Sequence, residues 1–261
     1  MTPRRPEPQR ASTSRRRLAI VLVAAAALAG GCRSAASQDA GANITVSAAS
    51  SLRDAFSQLG AMAEGEGLDV TFNFDSSSSL AAQIVEGAPA DVYASAAPED
   101  MARLEDAGLV RDPVAFARNV LAIVTPPGNP RRITSLADLA GVGVVSLCGP
   151  GVPCGRYAQR ALEAAGVVLP ESSVTRGQNA AAALTAVAEG DAAAGVVYAT
   201  DARSAGDAVA TVPIPGADEL AATYLVAVLD GSGDPARAFV DLIGSERGQA
   251  VLQEHGFLRV G

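Results

Sequence analysis

Three short stretches of this chain hold residue types that can do chemistry. Ser47-Ala-Ala-Ser-Ser51 follows the β-type run Ile44-Thr-Val46, and Asp75-Ser-Ser-Ser-Ser79 follows Val70-Thr-Phe-Asn-Phe74. The third, Cys148-Gly-Pro-Gly-Val-Pro-Cys-Gly155, follows Val142-Gly-Val-Val-Ser-Leu147. Small hydroxyl and glycine residues between a strand and a helix leave backbone N–H groups exposed at the positive end of the helix dipole. Such a junction binds an anion without help from a cation. The competing account is that Ser51, Ser77 and Asn179 only cap their helices, the commonest use of Ser and Asn at these positions.

Catalytic constellations find less support. The chain has no Gly-x-Ser-x-Gly elbow, no Walker loop and no complete Gly-x-Gly-x-x-Gly fingerprint. Its sole imidazole is His255, near a helix end, where interaction with the last carbonyls is the expected role. The pairs Glu99-Asp100, Glu105-Asp106 and Asp218-Glu219 read as solvated surface. No enzyme activity and no cofactor are expected.

The elements that must position the three loops follow from hydrophobic period. Apolar runs such as Val92-Tyr-Ala94, Val120–Val124, Gly195–Tyr198, Val209–Val212 and Tyr224–Leu229 alternate with Ala-rich stretches of helical period. That is an α/β pattern with largely parallel sheets, whose strand ends gather loops at one edge. Helix starts are expected at Ser51 before Leu52–Ala63, Ser135 before Leu136–Leu139, Asn179 before Ala180–Glu189, and Ser245 before Glu246–His255.

The N-terminus reads as an export signal over residues 1–31. Arg15-Arg16-Arg17 precedes an apolar run from Leu18 to Ala29, too short to span a bilayer. Leu28-Ala-Gly-Gly-Cys32 resembles a lipobox, which would make Cys32 the acylated mature N-terminus and 32–42 a lipid-anchored flexible tether. Cleavage near Ala35 or Ala36, giving a soluble periplasmic or secreted protein, is the alternative. Ser14–Leu18 also fits a twin-arginine signal. All 20 basic residues are Arg, and six of them precede residue 18. Setting aside the first 31 residues, with those six and Glu7, leaves 14 Arg against 27 carboxylates, a net −13. A body this acidic excludes nonspecific nucleic-acid binding.

Longer stretches carry a family resemblance. Ile44-Thr-Val-Ser-Ala-Ala-Ser-Ser-Leu-Arg-Asp-Ala-Phe56 resembles the opening strand and helix of the periplasmic molybdate-binding proteins of ABC transporters. So does Phe74–Ala96, with its Gly87-Ala-Pro-Ala-Asp91 core. Phe116–Asn119, Val152–Tyr157, Gly195–Asp201 and His255-Gly-Phe257 continue the match in order. The resemblance implies a two-lobed periplasmic-binding-protein fold, each lobe a largely parallel sheet flanked by helices, closing on a tetrahedral oxyanion. By the same resemblance, Ser51 and Ser77 donate hydroxyl and N–H groups, the latter with Ser76 and Ser78 as register alternatives. Cys154 and Ala180 donate backbone N–H groups, and Tyr198 donates its phenol. A donor-only set suits molybdate or tungstate, fully deprotonated at neutral pH, and sulfate would tolerate it. Asp75 is awkward beside a dianion; its expected role is to cap the next helix with its side chain turned away. Cys148 and Cys154, outside the cytoplasm, are expected to form a disulfide that stiffens the third loop, reduced thiols being the alternative.

Lobe one is expected over 43–121 plus 223–261 and lobe two over 122–222, with two crossing strands as a hinge. The implied partners are molybdate or tungstate and the membrane subunits and ATPase of an ABC permease; the receptor is expected to be monomeric. A sulfate receptor keeps the fold and changes the ligand. A regulatory effector domain would need a DNA-binding segment where 1–42 supplies an export signal. A secreted hydrolase using Ser51 or Ser77 would need a base.

Overall fold

The structure, a computed structural model, describes residues 42–260. The export signal, Cys32 and nearly all of the tether lie outside the described residues.

Two five-stranded sheets organise the chain. In the first, β1 (Ala42–Ala49) pairs in parallel with β2 (Leu68–Asp75) and β3 (Val92–Ser95). Between β1 and β2 a 3-10 turn over Ser50–Leu52 opens into α1 (Arg53–Glu64). Ala55, Leu59 and Ala63, with Phe56 and Gly60 beside them, form its buried face at helical spacing. Gly60 is required by closeness: a Cβ there would stand 2.6 Å from the Phe72 ring. α2 (Ser77–Val85) and α3 (Pro98–Asp106) flank β3, and β4 (Val114–Asn119) lies at the edge of the sheet. Phe56 anchors the layer between α1 and the sheet, with its ring centroid 5.9 Å from that of Phe116 and 6.0 Å from that of Phe239.

The chain enters the second sheet at β5 (Leu121–Thr125). β6 (Val145–Cys148), α4 (Pro153–Ala164), β7 (Val174–Gly177), α5 (Ala180–Ala188), β8 (Ala194–Tyr198), α6 (Ala199–Ser204) and β9 (Ala210–Pro213) complete it. β10 (Ala222–Val228) then returns to the first sheet, followed by α7 (Asp234–Gly244) and α8 (Glu246–Glu254). The strand orders are β2-β1-β3-β10-β4 and β7-β6-β8-β5-β9. In each, the fourth strand arrives from the other sheet and is antiparallel to both neighbours. The remaining four strands of each sheet share one direction, so both sheets are largely parallel with one reversed strand. Crossing occurs at Val120 and again within 214–221. Leu121 therefore pairs in the second sheet with Tyr198, and Ala222 in the first with Asn119.

Local starts differ from expectation in two places. Ser51 caps no helix: α1 begins at Arg53 after the 3-10 turn, and the Ser51 hydroxyl is spent elsewhere. The strand read from Val142 begins only at Val145, after Gly143 takes φ +114°. Asn179 and Ser245 cap α5 and α8 through side-chain oxygens, and Ser135 closes a capping box with Asp138 over the 3-10 turn Leu136–Leu139.

Candidate functional site

The helix starts that follow β2, β6 and β7 converge with the 3-10 turn after β1 on one cavity. Ser51, Ser77, Cys154, Ala180 and Tyr198 all line it, together with Ser50, Asp75, Ser76, Ala96, Pro153 and Asn179. The five residues expected at the site are thus brought together, three from the second sheet and two from the first. The free space between them is about 10 Å³, close to the least that admits one water-sized group.

Each loop reaches the cavity for a local reason. Pro153 occupies the first position of α4 and has no N–H, so Cys154 supplies the first amide of that helix. Gly155 brings α4 against its own loop, since a Cβ there would collide with the Gly149 carbonyl oxygen. The Cys148–Cys154 disulfide spans the loop with Cα atoms 5.7 Å apart. Gly177 lets the end of β7 meet α5, where a Cβ would lie 2.6 Å from the Ala183 nitrogen. Asn179 Oδ1 then accepts the N–H of Ala182 at 2.9 Å, leaving earlier amides of α5, Ala180 among them, facing outward.

The serines are held differently from one another. Ser76, not Ser77, caps α2: its Oγ accepts the Ser79 N–H at 3.2 Å. Ser77 Oγ accepts the Ala96 N–H at 2.9 Å, and its carbonyl accepts the Tyr93 hydroxyl at 2.8 Å. Ser77 therefore keeps its own hydroxyl hydrogen to donate. Ser51 Oγ lies 2.7 Å from the Tyr224 hydroxyl, which in turn accepts from Asn119 Nδ2 at 3.3 Å. Asn119 and Tyr224 thus hold the Ser51 hydroxyl at the cavity wall. Sequence reasoning read Tyr224 only as a strand residue and missed this contact.

Tyr198 supplies the strongest sign of an unmet partner. The side chain is 2% exposed, and its hydroxyl is buried without a hydrogen bond. Burial, reinforced by the neighbouring Tyr224 and Tyr157 phenols, holds its pKa well above 10, so it is a donor at any physiological pH. A buried hydroxyl of this kind costs free energy until something accepts from it.

Asp75 corrects an expectation. Its side chain does not turn away to cap α2 but lines the cavity, where Oδ1 accepts the Ser76 N–H at 2.7 Å and Asn179 Nδ2 at 3.0 Å. Behind Tyr198, Asp201 is buried, and burial, aided by the charge of Asp54, lifts its pKa to about 7. Among the described residues no group of three or more His, Cys, Asp or Glu side chains is placed to hold a metal ion, and no helix is long and apolar enough to cross a membrane.

Comparison with known proteins agrees with this geometry. Residues 44–258 match the family model described as bacterial extracellular solute-binding protein. The chain is 38% identical over 253 residues to the molybdate-binding protein ModA of Mycobacterium tuberculosis, covering 93% of this chain and 96% of that one. It is 30% identical to a putative ABC transporter substrate-binding lipoprotein of Bacillus subtilis, covering 70% of this chain and 74% of the other. In fold it superposes on the Azotobacter vinelandii periplasmic molybdate-binding protein with a TM-score of 0.74 at 19% identity, covering 84% of this chain and all of that one. Each of these relatives is named for binding a solute, two of them molybdate. The chain belongs to the bacterial extracellular solute-binding protein family, among relatives named for binding molybdate.

Proposed function

We propose that the protein captures molybdate between its two sheets outside the cytoplasm and delivers it to an ABC permease. The observation that carries this reading is the buried, unpartnered Tyr198 hydroxyl, aimed at a cavity lined by hydroxyls, helix-start amides and one carboxylate, Asp75, already bound to Ser76 and Asn179. Ser51, Ser77 and Tyr198 donate hydroxyls, and Cys154 and Ala180 donate backbone N–H groups. A fully deprotonated oxyanion accepts from all of them, whereas a sugar or amino acid would ask for acceptors as well. Tungstate, with the same charge and shape, is a ligand too. The 38% identity to a molybdate-binding relative supports the choice of oxyanion.

The two segments that join the sheets act as a hinge, giving lobes over about 43–121 plus 223–261 and 122–222, and closure presents a shape the permease reads. Acylation at Cys32 would tether this monomeric receptor to the membrane, and the lipoprotein relative favours that over free release. Loss of membrane association in Cys32→Ser is the expected result for the anchor.

Calorimetry on the purified protein with sodium molybdate, tungstate, sulfate and phosphate tests the ligand. Molybdate and tungstate should bind with similar affinity and sulfate far more weakly. Sulfate binding as tight as molybdate would assign the receptor to sulfate, and no heat with any of the four would end the oxyanion reading.

A further inference from the structure

Outside the cavity, one buried ion pair joins the two sheets. Asp100, in the first turn of α3, is 1% exposed, and Arg156, from the first turn of α4, donates Nη2 to its Oδ2 at 2.6 Å. The other carboxylate oxygen has no hydrogen bond, with Arg103 lying 3.9 Å away. The second arm of the same guanidinium, Nη1, donates to the Gly151 carbonyl at 2.8 Å. Gly151 sits inside the loop that the Cys148–Cys154 disulfide closes and that presents the Cys154 amide to the cavity. One turn further along α4, Arg160 meets Glu99 at 3.2 Å, but both of those side chains are about half exposed. Such a solvated pair adds little.

The geometry points to Arg156 as a closure latch: a positioning residue that seats on Asp100 only when the sheets come together, and so holds the disulfide loop over the ligand and governs its escape. This rests on the oxyanion-receptor reading above. The fork of the guanidinium explains why Arg stands there. One arm satisfies a carboxylate of the first sheet while the other grips a loop carbonyl of the second, a two-partner geometry that Lys cannot match. When the cleft opens, Asp100 regains water, so the pair costs nothing in the open state. When the cleft closes, Asp100 is buried, and without Arg156 its charge would be left uncompensated. The effect therefore falls on departure from the closed state, not on encounter.

Stopped-flow measurement of sodium molybdate binding, read by tyrosine fluorescence, tests the latch on the full exported protein. Arg156→Gln should raise the dissociation rate about thirtyfold or more while the association rate stays within about twofold. Asp100→Asn should act alike, the double variant should be no worse than either single one, and Arg156→Lys should fall between. An unchanged dissociation rate, an association rate that falls in proportion, or additive single effects would overturn the latch. If the wild type takes up no oxyanion, the receptor reading fails. The latch, which needs a ligand to close on, then falls with it.

Discussion

The side-chain amide of Asn179 donates to Asp75 Oδ1 across 3.0 Å, joining the start of α5 in one sheet to the end of β2 in the other at the rim of the cavity. The same Asp75 oxygen accepts the Ser76 N–H, so one carboxylate orders two of the loops that face the ligand. Its charge opposes a dianion, yet its bonds hold the donors in place. Asp75→Asn separates the two effects, because the amide oxygen keeps both bonds and the charge disappears. Between a carboxylate and a dianion near 5 Å apart the removed repulsion is about 2 kcal/mol even at the dielectric of water, so molybdate affinity should rise at least about tenfold. Asp75→Ala, which loses the bonds as well, should gain less. Calorimetry showing no change in Asp75→Asn would mean the carboxylate charge does not reach the ligand.

Tyr198→Phe should move stability and affinity in opposite directions. Removing a buried hydroxyl that lacks a partner leaves ligand-free stability unchanged or higher. The lost hydrogen bond to a charged ligand is worth about 1.5–3 kcal/mol, a ten- to hundredfold loss of affinity. Melting temperature and molybdate titration on the same sample decide it; equal affinity in the two proteins would remove Tyr198 from the site.

Reduction of Cys148–Cys154 should loosen the third loop. The bridge closes a loop of six residues' separation, for which chain entropy gives about 2 kcal/mol. Calorimetric scans with and without reductant should differ by about 4–8 °C, with weaker molybdate binding in the reduced protein. Coincident scans would show that the bridge contributes nothing to stability.

Asp201 makes stability depend on pH. Its carboxylate accepts the N–H of Tyr198 at the start of α6, half of a capping box, while its other oxygen is buried without a partner. With a pKa of about 7 in the folded chain and about 3.9 in the unfolded one, the native state holds the extra proton between those values. Stability therefore falls as pH rises through that window and levels off above pH 7, by roughly 4 kcal/mol at most. Denaturant midpoints from pH 4.5 to 8 should flatten in Asp201→Asn relative to wild type. Parallel profiles would place the titration elsewhere.

The parts of this molecule that were legible in the sequence are local ones. The alternation of apolar runs and Ala-rich helices, and the Ser- and Gly-rich junctions, each depend on a few neighbouring residues, and they led to the right fold class and to loops that meet at one cavity. β7 escaped notice because Val174-Thr-Arg-Gly177 offers one apolar side chain in four residues, and it becomes a strand by pairing with β6. The capping role fell one residue away, on Ser76, because four consecutive serines carry no register of their own. The role of Asp75 was misread and the contact of Tyr224 missed for a deeper reason. Their partners lie 104 and 173 residues away, and only the strand order brings them into contact.

The exchange of strands between the sheets also sets an order of assembly. All five strands of the second sheet lie within 121–213, so that sheet can be completed from one continuous stretch of chain. The first sheet cannot: β3 and β4 are separated by β10, which is the last strand to be made. Until Ala222–Val228 arrives, their inner edges have no partner, and both remain open to pairing with other chains. The half of the receptor encoded first is therefore the half that finishes folding last, and a chain cut short before residue 222 would leave a sheet with a gap in its middle.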